Sequence, residues 1–178
     1  MHQDVEKILV SEDEIKVIIS EIAEKINKDL SGEPLLVVII LKGSTPFAMD
    51  LIRKLDMPVE IDFMQVSSYG TATESKGFIN MKRDLEQDVT GKNLLIVEDI
   101  IDSGNTLNKI KTLFEERNAN SVRICTMLDK PSRRVVDVKV DYTGKEIPDE
   151  FVVGYGLDYD QKYRNLPYIG SLKREIYE

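Results

Sequence analysis

The 178-residue sequence has one cysteine, one histidine and no tryptophan. A single cysteine excludes an intrachain disulfide, so the fold must depend on a packed core, and a reducing cytoplasm is the expected location. The longest apolar run, Leu35 to Leu41, is too short to cross a bilayer. The N-terminal residues are charged and lack the apolar block of a secretion signal. These absences predict a cytoplasmic protein with no membrane partner.

Basic residues are also in short supply. Lys and Arg together number 24 against 32 Asp and Glu, which gives a formal net charge of −8. Nucleic-acid surfaces need clustered positive charge, so a nucleic-acid partner is not expected. The 42% hydrophobic and 31% charged content is typical of a globular protein. At this length one domain, spanning residues 1–178, is predicted.

Helical and strand patterns alternate along the chain. Ser11 and Glu14 form a capping box before an amphipathic helix that reaches about Leu30. Thr45 can cap a second helix with Pro46 at its first position. Apolar runs predict buried strands at 35–41, from residue 94 onwards and at 122–128, and alternation over 59–65 predicts a strand with one more polar face. This alternation predicts an α/β fold with a parallel sheet flanked by helices.

The most informative stretch is LLIVEDIIDSGNTL, from Leu94 to Leu107. Its apolar strand ends in two adjacent carboxylates, Glu98 and Asp99, which suit sugar hydroxyls or a hard cation such as Mg²⁺. A short loop then opens into a helix, and Gly104 lets the backbone approach an anion closely. The helix start supplies free N–H groups, so the loop fits a phosphate. An ordinary strand–turn–helix with a side-chain cap is the alternative.

This stretch resembles the phosphoribosyl-diphosphate (PRPP) motif of type I phosphoribosyltransferases, in wording closest to the hypoxanthine/guanine branch. Two other matching segments, Lys42-Gly43 and Ser68-Tyr69, precede this stretch. Three more come after it: Lys130, the run FVVGYGLDY at 151–159, and Tyr163-Arg164-Asn165. All occur in the family's order. The resemblance spans about Leu35 to Asn165. It implies the type I phosphoribosyltransferase fold, with a core at about 35–150 and a small hood built from the N- and C-terminal segments.

The resemblance implies transfer of a 5-phosphoribosyl group from PRPP to N9 of hypoxanthine or guanine, with release of pyrophosphate. Asp102 would be the catalytic general base, and Mg²⁺ would be the cofactor, held by Glu98, Asp99 and Asp158. The residues implied to bind PRPP are Lys42, Gly43, Glu98, Asp99, Asp102, Ser103, Gly104, Asn105, Thr106 and Arg164. In relatives the turn at Lys42-Gly43 has an unusual peptide geometry and often a second glycine where this chain has Ser44.

The purine end is implied by four residues. Phe151 would stack on the base, backbone around Val152 and Asp158 would lie at its edge, and Lys130 would donate to the 6-oxygen. An ammonium donor suits a carbonyl oxygen and disfavours the 6-amino group of adenine. Ser68 and Tyr69 would begin a lid over the site. Homo-oligomers, dimers or tetramers, are common in the family.

Two other functions remain open at this level. A xanthine-preferring enzyme differs only in its contacts at the purine 2-position, which the sequence does not settle. A regulator that keeps the PRPP pocket and binds nucleic acid is a second alternative. The −8 charge weighs against it.

Overall fold

The structure is a computed structural model, and it describes residues 1–67 and 80–178 of the chain. Nine strands and four α-helices alternate along that part of the chain. In order they are β1 (Val5–Val10), α1 (Glu12–Asp29), β2 (Leu35–Ile40), α2 (Thr45–Ile52), β3 (Val59–Ser67), β4 (Asn80–Arg83), β5 (Asn93–Ile101), α3 (Asn105–Glu116), β6 (Ser121–Asp129), β7 (Tyr142–Glu146), β8 (Val152–Val153), β9 (Ile169–Leu172) and α4 (Arg174–Tyr177). A 3₁₀ turn at Pro131–Arg133 follows β6.

The larger sheet has six strands in the order β4-β3-β2-β5-β6-β7. All neighbours are parallel except β3 and β4, which are antiparallel. The central strand β2 is buried along its whole length, because helices cover both faces of the sheet. Leu35, Val37 and Ile39 face the core beneath α1 and α2, and Leu36, Val38 and Ile40 face the core beneath α3. Burial on two sides explains why β2 is apolar at every position.

The smaller sheet is antiparallel, in the order β1-β9-β8. It joins the first strand of the chain to the last two, and Val5, Val153 and Leu172 form its buried centre. This is the hood, a second layer built from both ends of the chain. The predicted fold class, a parallel sheet flanked by helices with a small hood, is therefore confirmed.

Several elements differ from the sequence prediction. α2 begins at Thr45, one residue earlier than predicted, since Ser44 and not Thr45 holds the cap position, and the Ser44 side chain makes no capping hydrogen bond. The Thr45 hydroxyl instead donates to the Lys42 carbonyl at 2.8 Å. The strand β7 was not predicted, since its sequence YTGKE has no apolar run. Its Gly144 packs so tightly on β6 that a Cβ would lie 2.4 Å from the Met127 carbonyl oxygen.

No helix in residues 1–67 and 80–178 is both long enough and apolar enough to cross a bilayer.

The predicted capping box at the start of α1 is confirmed. The Ser11 N–H donates to Glu14 Oε2 at 2.8 Å, and the Glu14 N–H donates to Ser11 Oγ at 3.3 Å. The ammonium of Lys145 on β7 lies 3.1 Å from Glu14 Oε1. The hydrogen bond from the Ser11 backbone, followed by the Ser11 hydroxyl and Lys145, lowers the pKa of Glu14 to about 2.

We predict that this carboxylate makes stability depend on acid pH. Because the folded pKa of Glu14 lies below its unfolded value, its contribution is complete above about pH 4.5 and is lost as pH falls toward 2. Glu14→Gln should therefore melt below the wild type at pH 7, and the difference should shrink below pH 4.5. Calorimetric melting at several pH values checks this. Glu24→Gln, at an exposed mid-helix position, is the control, and an equal pH trend in both variants would contradict the prediction.

Candidate active site

A cleft of about 270 Å³ opens at the carboxyl end of β5. Ligands bind at this edge in open α/β sheets, where several strands end beside each other. Its polar lining contains six of the residues predicted to bind PRPP: Glu98, Asp99, Asp102, Ser103, Gly104 and Thr106. Apolar side chains from three strands and from α3 complete it: Ile40, Val66, Ile100, Ile101 and Leu107.

The loop at the base of α3 is shaped by Gly104. This residue holds the cap position with φ +82° and has no side chain to cap the helix, so neither Asp102 nor Ser103 is the cap residue. The Ser103 hydroxyl instead accepts from the Asn105 N–H at 3.3 Å and from its side-chain amide at 3.2 Å. Uncapped N–H groups at a helix start form a natural anion site.

Glu98 and Asp99 form a desolvated acid pair inside the cleft. Burial and the neighbouring Asp99 charge raise the pKa of Glu98 well above its usual range. Burial also raises the pKa of Asp99, although a hydrogen bond from Glu98 and the Arg164 charge act in the opposite direction. Within the described part of the chain, Glu98 Oε2 is buried without a hydrogen-bond partner. Oxygen donors in this state suit a hard cation or sugar hydroxyls.

The turn after β2 packs directly on this acid pair. The Leu41–Lys42 peptide bond is cis, the kind of unusual geometry that the family resemblance implied for this turn. A Cβ on Gly43 would lie 1.7 Å from Asp99 Oδ2. Only glycine leaves room for the carboxylate at this contact. Ser44, where relatives often have a second glycine, is buried, and its hydroxyl donates to the Ile40 carbonyl at 2.5 Å.

The loop after β8 covers the other side of the turn. Gly154, Tyr155 and Gly156 all have positive φ, at 98°, 47° and 98°. A Cβ on Gly156 would lie 1.9 Å from the Gly43 carbonyl oxygen. The Tyr155 hydroxyl donates to Asp50 on α2 at 2.7 Å and fastens the loop there. The backbone of the hood loop and the backbone of the Lys42-Gly43 turn are therefore in direct contact.

Arg164 and Asp158 form an ion pair beside this contact. Arg164 Nη2 lies 2.8 Å from Asp158 Oδ1, and Nη1 donates to the Gly156 carbonyl at 2.7 Å. Gln161, which sequence reasoning missed, accepts from Lys42 Nζ at 3.1 Å and from Arg164 Nη2 at 3.3 Å. Its amide thus joins the two predicted pyrophosphate cations. A lone glutamine in a polar loop carries no sequence signal of such a role.

Lys130 directly follows β6, which ends beside β5. It is 7% exposed, and its Nζ lies 4.0 Å from Asp102 Oδ1 and 3.9 Å from Asp149 Oδ1. Asp102 Oδ1 is buried and accepts no hydrogen bond from the described residues. The predicted general base and the predicted purine donor are therefore adjacent. Asp149 was not predicted, because only the fold brings it to Lys130.

Phe151 lies at the edge of the hood. It is 38% exposed and stacks on Tyr177 of α4 with ring centroids 4.9 Å apart. The ring of Tyr159 meets Phe151 edge-on at 5.6 Å. Val152 is buried and pairs with Ser171 on β9. Tyr177 lies on α4, which follows β9, and Phe151 directly precedes β8. The pairing of β8 with β9 brings the two rings together, and no sequence motif indicates this contact.

Ser68 and Tyr69, the predicted start of a lid, lie outside the described residues. The three predicted metal residues, Glu98, Asp99 and Asp158, do not form a cluster, since residues 1–67 and 80–178 contain no group of three or more His, Cys, Asp or Glu placed to hold an ion. Mg²⁺ commonly binds one or two carboxylates and completes its shell with waters and substrate phosphates. Glu98 and Asp99 fit that pattern.

Comparison with known proteins gives consistent matches. A model of the phosphoribosyl transferase domain matches residues 7–160. The chain is 51% identical over 177 residues to a hypoxanthine-guanine phosphoribosyltransferase of Streptococcus pneumoniae, covering 99% of this chain and 98% of that protein. It is 50% identical to the protein of the same name from Staphylococcus aureus, with 99% of each chain covered.

A crystal structure of a hypoxanthine phosphoribosyltransferase from Staphylococcus aureus superposes with a TM-score of 0.95 at 50% identity. The superposition covers 100% of this chain and 97% of that one. The resemblance seen in these sequence segments is confirmed over the full chain: the protein belongs to the phosphoribosyltransferase family, in its hypoxanthine-guanine branch.

Proposed function

We propose that the protein transfers the 5-phosphoribosyl group of PRPP to N9 of hypoxanthine or guanine in purine salvage. The products are IMP or GMP and pyrophosphate. The observation that carries the proposal is the position of Asp102. It lies at the start of the phosphate loop, and its carboxylate is 4.0 Å from the buried ammonium of Lys130. One residue would thus border both substrates.

PRPP would bind along the edge of the sheet. Backbone N–H groups and hydroxyls of the loop Ser103 to Thr106 would hold the 5-phosphate. Glu98 and Asp99 would hold the ribose 2- and 3-hydroxyls, directly or through Mg²⁺. We propose Mg²⁺ as the cofactor, held by one or both acids of this pair with Asp158 contributing through water, because a divalent cation would neutralise the phosphates as they approach this acidic cleft.

Departure of pyrophosphate creates charge that the site must stabilise. The backbone of Lys42-Gly43 and the guanidinium of Arg164 lie next to Asp99 and would receive it. Both cations are held in place before substrate binds, since they share the Gln161 amide. Preorganised donors of this kind stabilise a developing charge without reorganising during the reaction.

The base would stack on Phe151 and be read by backbone around Val152 and by Asp158. Lys130 would donate to its 6-oxygen, and adenine would offer that buried ammonium no acceptor at the 6-position. Such a mismatch costs about 1–3 kcal/mol, or roughly tenfold or more in discrimination. Asp102 would take the proton from the purine N7 as the ring attacks the ribose carbon.

Three further expectations remain proposals of this kind. The oxocarbenium-like transition state needs protection from water, and a lid beginning at Ser68 and Tyr69 would provide it. We expect a single domain that self-associates, which sedimentation analysis can test. A cytoplasmic location agrees with the one cysteine, Cys125, whose burial raises the pKa of its thiol.

The base specificity is the first prediction. With PRPP and Mg²⁺, we expect rapid pyrophosphate release with hypoxanthine and guanine, and little with adenine, uracil or orotate, because Lys130 requires a 6-oxygen acceptor. Each base is offered in a separate reaction. Comparable turnover with xanthine would instead indicate a permissive 2-position. PRPP binding with no turnover of any base would overturn the proposed activity, and a salt-dependent affinity for nucleic acid would then support the regulator.

The second prediction concerns the general base. Asp102→Asn should lower kcat by about 100-fold, the low end of a general-base contribution, and leave PRPP affinity within about threefold, because the loop backbone still holds the phosphate. Steady-state kinetics and titration calorimetry measure the two quantities. Asp137→Asn, at an exposed nearby position, is the control. An unchanged kcat in Asp102→Asn would remove this residue from the chemistry.

The third prediction concerns the Gly43 contact. In Gly43→Ala the new methyl would overlap Asp99 Oδ2, so the carboxylate must move, and both kcat and PRPP affinity should fall at least about tenfold. Gly91→Ala is a matched control. That glycine has φ +71° and open space around it, so the substitution strains the backbone at about 1–2 kcal/mol without touching the cleft. If Gly43→Ala lost only stability, as Gly91→Ala should, the proposed contact would be functionally unimportant.

A further inference from the structure

One segment outside the predicted site, Arg134 to Val138, packs on the back of the phosphate loop. Arg134 Nε donates to the Asp102 carbonyl at 3.0 Å, and its Nη2 lies 2.5 Å from Asp129 Oδ1. The Arg134 side chain is 22% exposed. A largely buried guanidinium therefore spans two acceptors on neighbouring strand ends.

The backbone of the same segment holds the loop a second time. The N–H groups of Val135 and Val136 both donate to the Ser103 carbonyl at 3.0 Å. A Cβ on Gly104 would lie 2.9 Å from Val138 Cγ1 and 3.1 Å from Arg134 Cδ. The left-handed turn of the phosphate loop is thus in van der Waals contact with the segment that carries Arg134.

The second acceptor, Asp129, has a defined place in the site. It is the last residue of β6, directly before Lys130, and the Lys130 N–H donates to the Ile101 carbonyl at the end of β5 at 3.0 Å. Arg134 therefore connects the chain at Asp102 to the chain at Lys130. These are the two residues whose side chains border both substrates in the proposed reaction.

We infer that Arg134 is a positioning residue for this site. It fixes the spacing between Asp102, with its phosphate loop, and Lys130, without touching substrate. The inference rests on the proposed function. A planar guanidinium can satisfy two acceptors in fixed directions, whereas the single ammonium of a lysine cannot reproduce that fork. Misplacing a catalytic group by about 1 Å can cost about 100-fold in rate.

This role predicts which quantities change. Without the Arg134 contacts the Asp102 peptide is free to move, so kcat and the affinity for the 5-phosphate should both fall. The Michaelis constant for the base should change much less, because Phe151 and Val152 belong to the hood and Lys130 keeps its own backbone hydrogen bond to the Ile101 carbonyl. If Arg134 were purely structural, its substitution would lower the melting temperature without lowering kcat and phosphate affinity selectively.

The test compares Arg134→Ala and Arg134→Lys with a control, Arg117→Ala. Arg117 makes a bidentate pair with Asp84 at 2.8 and 2.6 Å, away from the cleft residues. Four quantities are measured: kcat, the Michaelis constant for hypoxanthine, the dissociation constant for ribose 5-phosphate without base, and the melting temperature. Guanidinium at non-denaturing concentration is added to the Arg134→Ala reaction.

We expect Arg134→Ala to lose about 30- to 100-fold in kcat and about tenfold in ribose 5-phosphate affinity. The Michaelis constant for hypoxanthine should stay within threefold, and Arg134→Lys should recover only part of the loss. Arg117→Ala should keep the wild-type kcat, so added guanidinium should restore activity to Arg134→Ala and leave the activity of Arg117→Ala unchanged. A guanidinium ion that fills the vacated space can remake both contacts, whereas it cannot repair a destabilised fold.

Two results would overturn the inference. One is a kcat and a ribose 5-phosphate affinity within threefold of the wild type in Arg134→Ala. The other is a loss that matches the fall in folded protein and that guanidinium does not relieve. If the wild type turned over no base, the proposed function would fail separately. The ribose 5-phosphate affinities of wild type and Arg134→Ala would still decide whether Arg134 positions the loop.

Discussion

Asp99 lies so close to the Gly43 backbone that a methyl group on Gly43 would overlap its carboxylate. This contact depends on the parallel sheet, because β2 and β5 are neighbours and end at the same edge. Gly43 in turn meets Gly156 of the hood loop through its carbonyl oxygen. The acid pair, the turn after β2 and the hood are therefore in continuous contact. Neither Gly43 nor Gly156 leaves room for a side chain in these contacts.

The local charges explain how a chain of net charge −8 can receive a highly anionic substrate. The attraction does not come from a basic surface. Lys42, Arg164 and Lys130 lie around an acidic cleft, and each has a carboxylate or amide oxygen that holds it in place. Backbone N–H groups at the start of α3 supply further positive potential. Specificity for one anion in one orientation follows more readily from such an arrangement than from diffuse positive charge.

The hood links the two ends of the chain to the proposed base side of the site. β1 pairs with β9, and the Tyr163 hydroxyl donates to Asp4 at 2.8 Å. Tyr177, next to the last residue, stacks on Phe151. The ring proposed to stack on the purine is therefore supported by the final turn of the chain, and the first and last strands contribute to the site without contributing a motif to it.

Local sequence was enough to predict the features whose residues lie next to one another in the chain. The apolar strand ending in Glu98 and Asp99, the loop with Gly104, and the capping box of Ser11 and Glu14 are each complete within a few residues, so spacing and residue type predict them. The same holds for the strands of the large sheet that are apolar throughout. The family resemblance then followed from segments in a fixed order.

Only the tertiary structure decided which distant residues meet. Gln161 joins Lys42 to Arg164, Asp149 lies beside Lys130, and Arg134 connects the ends of β5 and β6. The strands β1, β7 and β9 are short and lack a long apolar run, and they form because partners from elsewhere in the chain complete their hydrogen bonds. These features depend on contacts across large sequence separations. A pattern read along the chain cannot contain them, because their physical cause lies in the packing of one element against another.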